Sequence, residues 1–224
     1  MRRAPVAGAA ASSMIPPKGE LQMKLYYSAT SPYVRKVTVT AHETGLHSRI
    51  QRIDTDIRAP AKAFIADNPL GKVPTLVTDD GLQLFDSRMI CEFLDSLHEG
   101  HRLFPTEVPQ RWRTLRLAAL AEGVIDAAVL RRMEMVRPDK EQSASWIERQ
   151  RGKVVRGLDM LEREVPRFNR QVTIGQIGVG CCLGYLDFRY GTKEDWRIGR
   201  PLLGDWYSMF MTRPSMVATV PEDP

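Results

Sequence analysis

The chain has little cysteine and little histidine, three of the first and four of the second in 224 residues. Cys181 and Cys182 are adjacent and Cys91 stands alone, with no C-x-x-C pair and no His/Cys spacing of the metal-ligand kind. That pattern argues against a disulfide framework and a structural metal, and it suits a reducing, cytoplasmic compartment. His42, His47, His98 and His101 are scattered, so surface or helix-end positions are expected for them rather than catalysis. Long apolar runs are missing too. None approaches the ~18 residues of a membrane span, so no membrane partner is expected. The formal charge of +5 comes without a basic run, since Lys and Arg are interleaved with Asp and Glu and part of the excess sits at Arg2, Arg3 and Lys18. This excludes a nucleic-acid footprint and leaves a mild preference for anionic ligands.

What is present is ordinary for a globular protein. Hydrophobic residues at 43% and charged residues at 26% allow one large domain or two small ones, each with a core. Residues 1–22 stand apart as an Ala/Gly/Ser/Pro stretch behind Arg2 and Arg3, with no apolar segment of the secretory kind. A disordered leader is the reading favoured over a transit peptide, and an over-extended start before Met23 is the third.

From Met23 the first half alternates strand and helix signals. Met23 to Tyr27 suits a strand. Ser31 is a natural N-cap with Pro32 at the first helical position, and that helix closes at Gly45. A strand is expected over 49–53 and a short helix over 61–66. A further strand is expected over 73–77, then a turn at Asp79-Asp80-Gly81 and a returning strand over 82–84. Asp86 caps a helix with Met89, Ile90, Phe93, Leu94 and Leu97 as its apolar stripe. The order β-α-β-α-β-β-α is a thioredoxin-like arrangement. Pro74 at the entrance of the third strand cannot donate a ladder hydrogen bond, so it marks an edge or a strand start. A cis Val73–Pro74 bond would turn the main chain of Val73 outward, where an extended peptide can add to the sheet.

Three motifs narrow that peptide. Ser31-Pro32-Tyr33-Val34-Arg35, then Asn68-Pro69-Leu70-Gly71-Lys72-Val73-Pro74, then Phe85-Asp86-Ser87, in this order and spacing, resemble the cytosolic glutathione transferases. The start looks most like the tau/omega-like branch and like bacterial relatives of the YibF type, and Gly184 to Arg189 looks like those bacterial members. The resemblance implies glutathione as cosubstrate. It gives Ser31 the role of hydroxyl donor to the glutathione sulfur and Val73, ahead of cis Pro74, the pairing with the cysteinyl main chain. Asp86 and Ser87 would take the γ-glutamyl end and Lys72 the glycyl carboxylate. Ser28 and Thr30 are rival hydroxyls on the same loop. An electrophile pocket would lie between two domains, with Ala29, Tyr33 and residues 118–122 as candidates. A homodimer and a detoxifying conjugation of hydrophobic electrophiles are further implications. Because position 31 is serine and not cysteine, no mixed disulfide with glutathione can form there, which disfavours thiol–disulfide exchange.

The second half reads as all-helical. Residues 23–99 are expected as the thioredoxin-like domain, 100–109 as a linker, 110–214 as a helical domain and 215–224 as a tail. The linker precedes a long helix carrying Trp112, Leu115, Ala119, Leu120, Val124, Ala128 and Leu130, which ends at Arg137-Pro138. A second helix carries Val154, Leu158, Leu161 and Val165. Thr173 and Gln176 form a capping box for an apolar helix that holds Cys181 and Cys182 as core residues. The glycines from Gly175 to Gly180 resemble a dinucleotide fingerprint only superficially, because no strand precedes them. A last helix from Pro201 is expected to bury Leu202, Trp206, Met209 and Phe210. Glutathione transferase chemistry of the serine type is therefore the leading expectation. A non-catalytic glutathione-binding or assembly protein, and a glutathione-dependent isomerase or dehalogenase, are the alternatives.

Overall fold

A computed structural model describes residues 22–222. Residues 1–21 of the expected leader and 223–224 of the expected tail lie outside the described residues. Strand β1 (Met23–Tyr27) pairs in parallel with β2 (Ile50–Asp54) and antiparallel with β3 (Thr75–Val77), and β3 pairs antiparallel with β4 (Gln83–Leu84). The sheet order β2-β1-β3-β4 puts the first strand in the middle. Helices α1 (Pro32–Glu43), α2 (Lys62–Asp67) and α3 (Ser87–Ser96) complete this half. The third strand begins at Thr75, later than the expected Val73, because Val73 and Pro74 lie in the bend that leads into it. Gly45 and Gly81, at φ +72° and +86°, take the left-handed turns that end α1 and join β3 to β4.

The second half contains α4 (Val108–Met135), α5 (Ala144–Glu164), α6 (Ile174–Tyr190), α7 (Pro201–Phe210) and α8 (Pro214–Val217). Helix α6 is apolar on all sides and buried along nearly its whole length, as a central helix must be. It serves two cores. Val179, Cys182 and Leu183 pack with Ala121, Val124 and Leu158 of α4 and α5. Ile177 and Cys181 pack with Leu25, Val37, Leu76 and Ile90 of the first half. Its glycines permit close approach: a Cβ on Gly178 would sit 3.4 Å from Ala121 Cβ, and one on Gly180 only 2.7 Å from Phe210 Cε1. At its start, Thr173 N–H donates to Gln176 Oε1 at 3.1 Å, while Gln176 Nε2 donates to Asn169 O at 2.9 Å.

Some expected faces shift. Met89, Trp112, Leu202 and Met209 are exposed, and α7 buries Leu203 and Tyr207 beside the expected Phe210. Residues 214–217, which run from the end of the expected helical domain into the expected tail, form α8 and bury Ser215 and Met216 against α1. Glu43 at the end of α1 accepts from Arg213 Nε at 2.9 Å and Nη2 at 2.8 Å, and from the Ser215 hydroxyl. Burial alone would raise the Glu43 carboxyl, but the bonds from Arg213 and Ser215 outweigh it and hold it below its ordinary value. A carboxylate held low in the folded state stabilises fully above its unfolded value, near 4.5, and that contribution is lost as pH falls through the lowered value. Glu43→Gln is thus expected to cost about 1–2 kcal/mol at pH 7 after allowance for solvent screening. The gap between mutant and wild-type urea midpoints should narrow as pH falls below the ordinary carboxylate range and close once pH lies below the lowered Glu43 value, where both side chains are neutral.

Candidate active site

The expected site residues sit at two loop-to-helix junctions, before α1 and before α3, and at the loop that leads into β3. At the first, Ser31 N–H bonds to Ser28 O at 3.1 Å, closing the turn after β1. Ser31 is extended, with φ −85° and ψ 121°, and its Oγ accepts from Val34 N at 3.3 Å. That cap occupies an oxygen lone pair and leaves the hydroxyl proton available. Ser28 Oγ and Thr30 Oγ1 lie 3.5 Å from each other, and Ala29 is exposed between them. No acidic residue occupies the first turn of α1, so its positive helix end is uncompensated from within the helix.

In the loop before β3, Asn68 is the brace. It is 1% exposed; its Oδ1 accepts from Leu70 N at 3.0 Å, and its Nδ2 donates to Lys72 O at 3.1 Å and Thr75 Oγ1 at 2.8 Å. Thr75 Oγ1 in turn donates to Lys72 O at 2.9 Å. Gly71 at φ +58° makes the turn that these bonds need. The Val73–Pro74 bond is cis, Pro74 is buried, and the Lys72 side chain is exposed. Among the described residues neither the N–H nor the C=O of Val73 is hydrogen-bonded, so both are free to pair with a ligand's main chain.

At the second junction, Phe85–Asp86 is cis and Asp86 caps α3, its Oδ1 accepting from Arg88 N at 2.9 Å. Ser87 is buried, 1% exposed, with Oγ 3.5 Å from Glu122 Oε1 on α4. Glu122 is 5% exposed and holds two cations, Lys36 Nζ of α1 at 3.0 Å and Arg88 Nε of α3 at 2.8 Å. Glu122 was expected only as the edge of an electrophile pocket over 118–122. The structure makes it the anion that joins α1, α3 and α4. Sequence reading missed this cluster, although a signal was there: Lys36 and Glu122 each interrupt the buried face of a helix. Tyr33 was likewise expected only as pocket lining. Its hydroxyl donates to Asp126 Oδ1 of α4 at 2.5 Å. Burial first, then the bond to Asp126, pushes the Tyr33 phenol well above its usual value, so it is a donor at neutral pH.

The chain's own thiols are poor nucleophiles. Burial raises Cys91 to about 12 and Cys181 to about 11, and pushes Cys182 up as well, so all three stay protonated at neutral pH. Among the described residues no group of three His, Cys, Asp or Glu could hold a metal ion, and no helix is long and apolar enough to cross a membrane. His42 and His47 stack on each other at 4.3 Å, His98 contacts Asp95, and His101 contacts the Val172 carbonyl.

Residues 30–97 match the N-terminal domain of glutathione S-transferases, and residues 144–208 match the C-terminal domain. The chain is 34% identical to the GST-like protein YibF of Escherichia coli K12, over 89% of this chain and 98% of that one. It resembles the structure of a glutathione transferase family member from Pseudomonas fluorescens Pf-5 with bound glutathione. There the TM-score is 0.84 and the identity 44%, over 90% of this chain and 100% of that one. A glutathione S-transferase from Methylobacillus flagellatus KT, also with glutathione bound, matches at TM-score 0.84 and 39% identity, over 89% and 100% of the two chains.

Proposed function

The chain belongs to the glutathione S-transferase family, and on that premise we propose that it is a serine-type transferase joining the glutathione thiolate to an electrophilic small molecule. The observation that carries this reading is the unpaired main chain of Val73 ahead of cis Pro74, and the Ser31 hydroxyl at the start of α1 supports it. The cysteinyl unit pairs with Val73 by strand addition, and the sulfur meets the Ser31 hydroxyl. Asp86 takes the γ-glutamyl ammonium. Ser87 and the first N–H groups of α3 take its carboxylate, and Lys72 takes the glycyl carboxylate. Ser31 is not a covalent nucleophile; it lowers the thiol's pKa, with help from the α1 helix end. The thiolate then forms a C–S bond as the bond to the leaving group breaks, and the thiol proton passes to solvent. Ala29 and Tyr33 face the electrophile.

Exposed apolar side chains at Leu82 and Met89 on one half and Trp112 and Met133 on the other support a homodimer in which the first half of one subunit packs on the second half of its partner. Three unpaired, buried cysteines support a reducing, cytoplasmic setting, and detoxification of hydrophobic electrophiles is the role that fits. Calorimetry with glutathione, followed by turnover assays with an activated aryl halide, an epoxide and a haloalkane, tests the proposal. Binding with conjugate formation is the expected result. Binding without turnover of any electrophile would favour the non-catalytic reading, and failure to bind glutathione would remove every reading built on it.

A further inference from the structure

A cavity of about 660 Å3 opens between the first turns of α4, the end of α5 and the start of α6, lined in part by Arg113, Thr114, Arg116, Glu164, Arg167 and Asn169. None of its lining residues belongs to the Ser31 region, and Thr114 precedes Asp126 by roughly 18 Å of helix.

Its charge is the first notable feature. Glu164, 6% exposed, accepts from Arg116 Nη2 at 2.6 Å and Arg167 Nη1 at 3.3 Å. Each of these arginines uses one nitrogen on Glu164 and keeps further N–H donors. Arg113 has no ion-pair partner among the described residues. Three guanidiniums against one carboxylate leave two positive charges at the cavity. The second feature is a hydroxyl. Thr114 is 3% exposed, and its Oγ1 has no hydrogen-bond partner among the described residues. Thr40 and Thr44 return their hydroxyls to a carbonyl one turn back, at 2.8 and 2.9 Å. Thr114 does not, and a buried hydroxyl left unpaired is destabilising unless a ligand or water completes it.

We propose that this cavity is a second binding site, for a small molecule that carries a phosphate monoester. Such a group brings close to two negative charges at neutral pH, which matches the uncompensated pair. Its three terminal oxygens suit forked guanidiniums, which bind phosphate through paired N–H donors. The Thr114 hydroxyl is covered in the ligand-free chain, so it donates to one of those oxygens only as the cavity wall opens around the phosphate. The volume falls in the range of small-molecule sites.

The test is calorimetry on the whole chain with inorganic phosphate and adenosine 5′-monophosphate, and with succinate as the dicarboxylate control. Both phosphates are expected to bind the wild type, and Arg113→Gln and Thr114→Val are each expected to weaken that binding about tenfold or more. Glutathione titrations should not change. Thr114→Val also controls for folding: it should raise the ligand-free thermal midpoint while shrinking the rise that phosphate induces. The proposal is overturned if neither phosphate binds, if succinate binds as tightly, or if both variants bind phosphate as the wild type does.

Discussion

Ser31→Ala is expected to lower conjugation about tenfold to a hundredfold near pH 6.5, because a hydrogen bond to a charged group contributes about 1.5–3 kcal/mol and each 1.36 kcal/mol is tenfold in rate. The same energy is roughly one to two pKa units on the bound thiol, whose unperturbed value is about 8.5. The rising limb of the pH–rate profile should therefore move up by that amount. Above about pH 9 the two proteins should converge, since the thiolate then forms without help. Affinity for S-methylglutathione, which has no thiol to ionise, should stay close to wild type. The substitution also removes the cap that accepts from Val34 N, at a stability cost of about 1 kcal/mol. Ser31→Thr keeps both hydroxyl and cap, so it should retain most activity. Equal loss in Ser28→Ala or Thr30→Ala, or convergence of the profiles at no pH, would move the role away from Ser31.

The features of this site that can be read from sequence are those set by neighbours in the chain. Ser31 before Pro32, Gly45 after α1, Asp86 before Ser87 and Thr173 with Gln176 all announce caps whose partners lie within four residues, and the structure has those elements in place. The thioredoxin-like order follows from the same local punctuation, which is why the sheet and the first three helices are legible. What escapes sequence reading is set by the docking of the two halves. Lys36 meets Glu122 across 86 residues and Tyr33 meets Asp126 across 93. No local pattern names either partner. Phase errors have another cause. Helix α7 carries Leu202, Leu203, Trp206, Tyr207, Met209 and Phe210, apolar around most of its circumference, so periodicity alone cannot choose the face that packs. Packing of Phe210 against α6 decides it, and Leu202 and Met209 are left outside.

Glu122→Gln should be the most damaging single change outside the apolar cores. Lys36 is 4% exposed, and Glu122 is its ion-pair partner at 3.0 Å. Neutralising Glu122 leaves a buried ammonium without its anion, which costs about 3–5 kcal/mol for a fully buried pair. Arg88, the second cation on Glu122, has a side chain 60% exposed, so it can turn to water once released, and the loss should fall toward about 3 kcal/mol. A fall of that size is large against the net stability of a domain and is readable as a drop in urea midpoint. Glutathione affinity should fall with it, because Glu122 holds Ser87 and Arg88 at the start of α3, where the γ-glutamyl end is proposed to sit. Stability and positioning separate in the double substitution Lys36→Met with Glu122→Leu. Replacing a buried ion pair by apolar side chains of similar volume is often neutral or stabilising, so the midpoint should recover. The affinity should not, since Ser87 and Arg88 still lack their anchor. Recovery of glutathione binding along with stability would reduce Glu122 to a partner for Lys36 and remove it from the site.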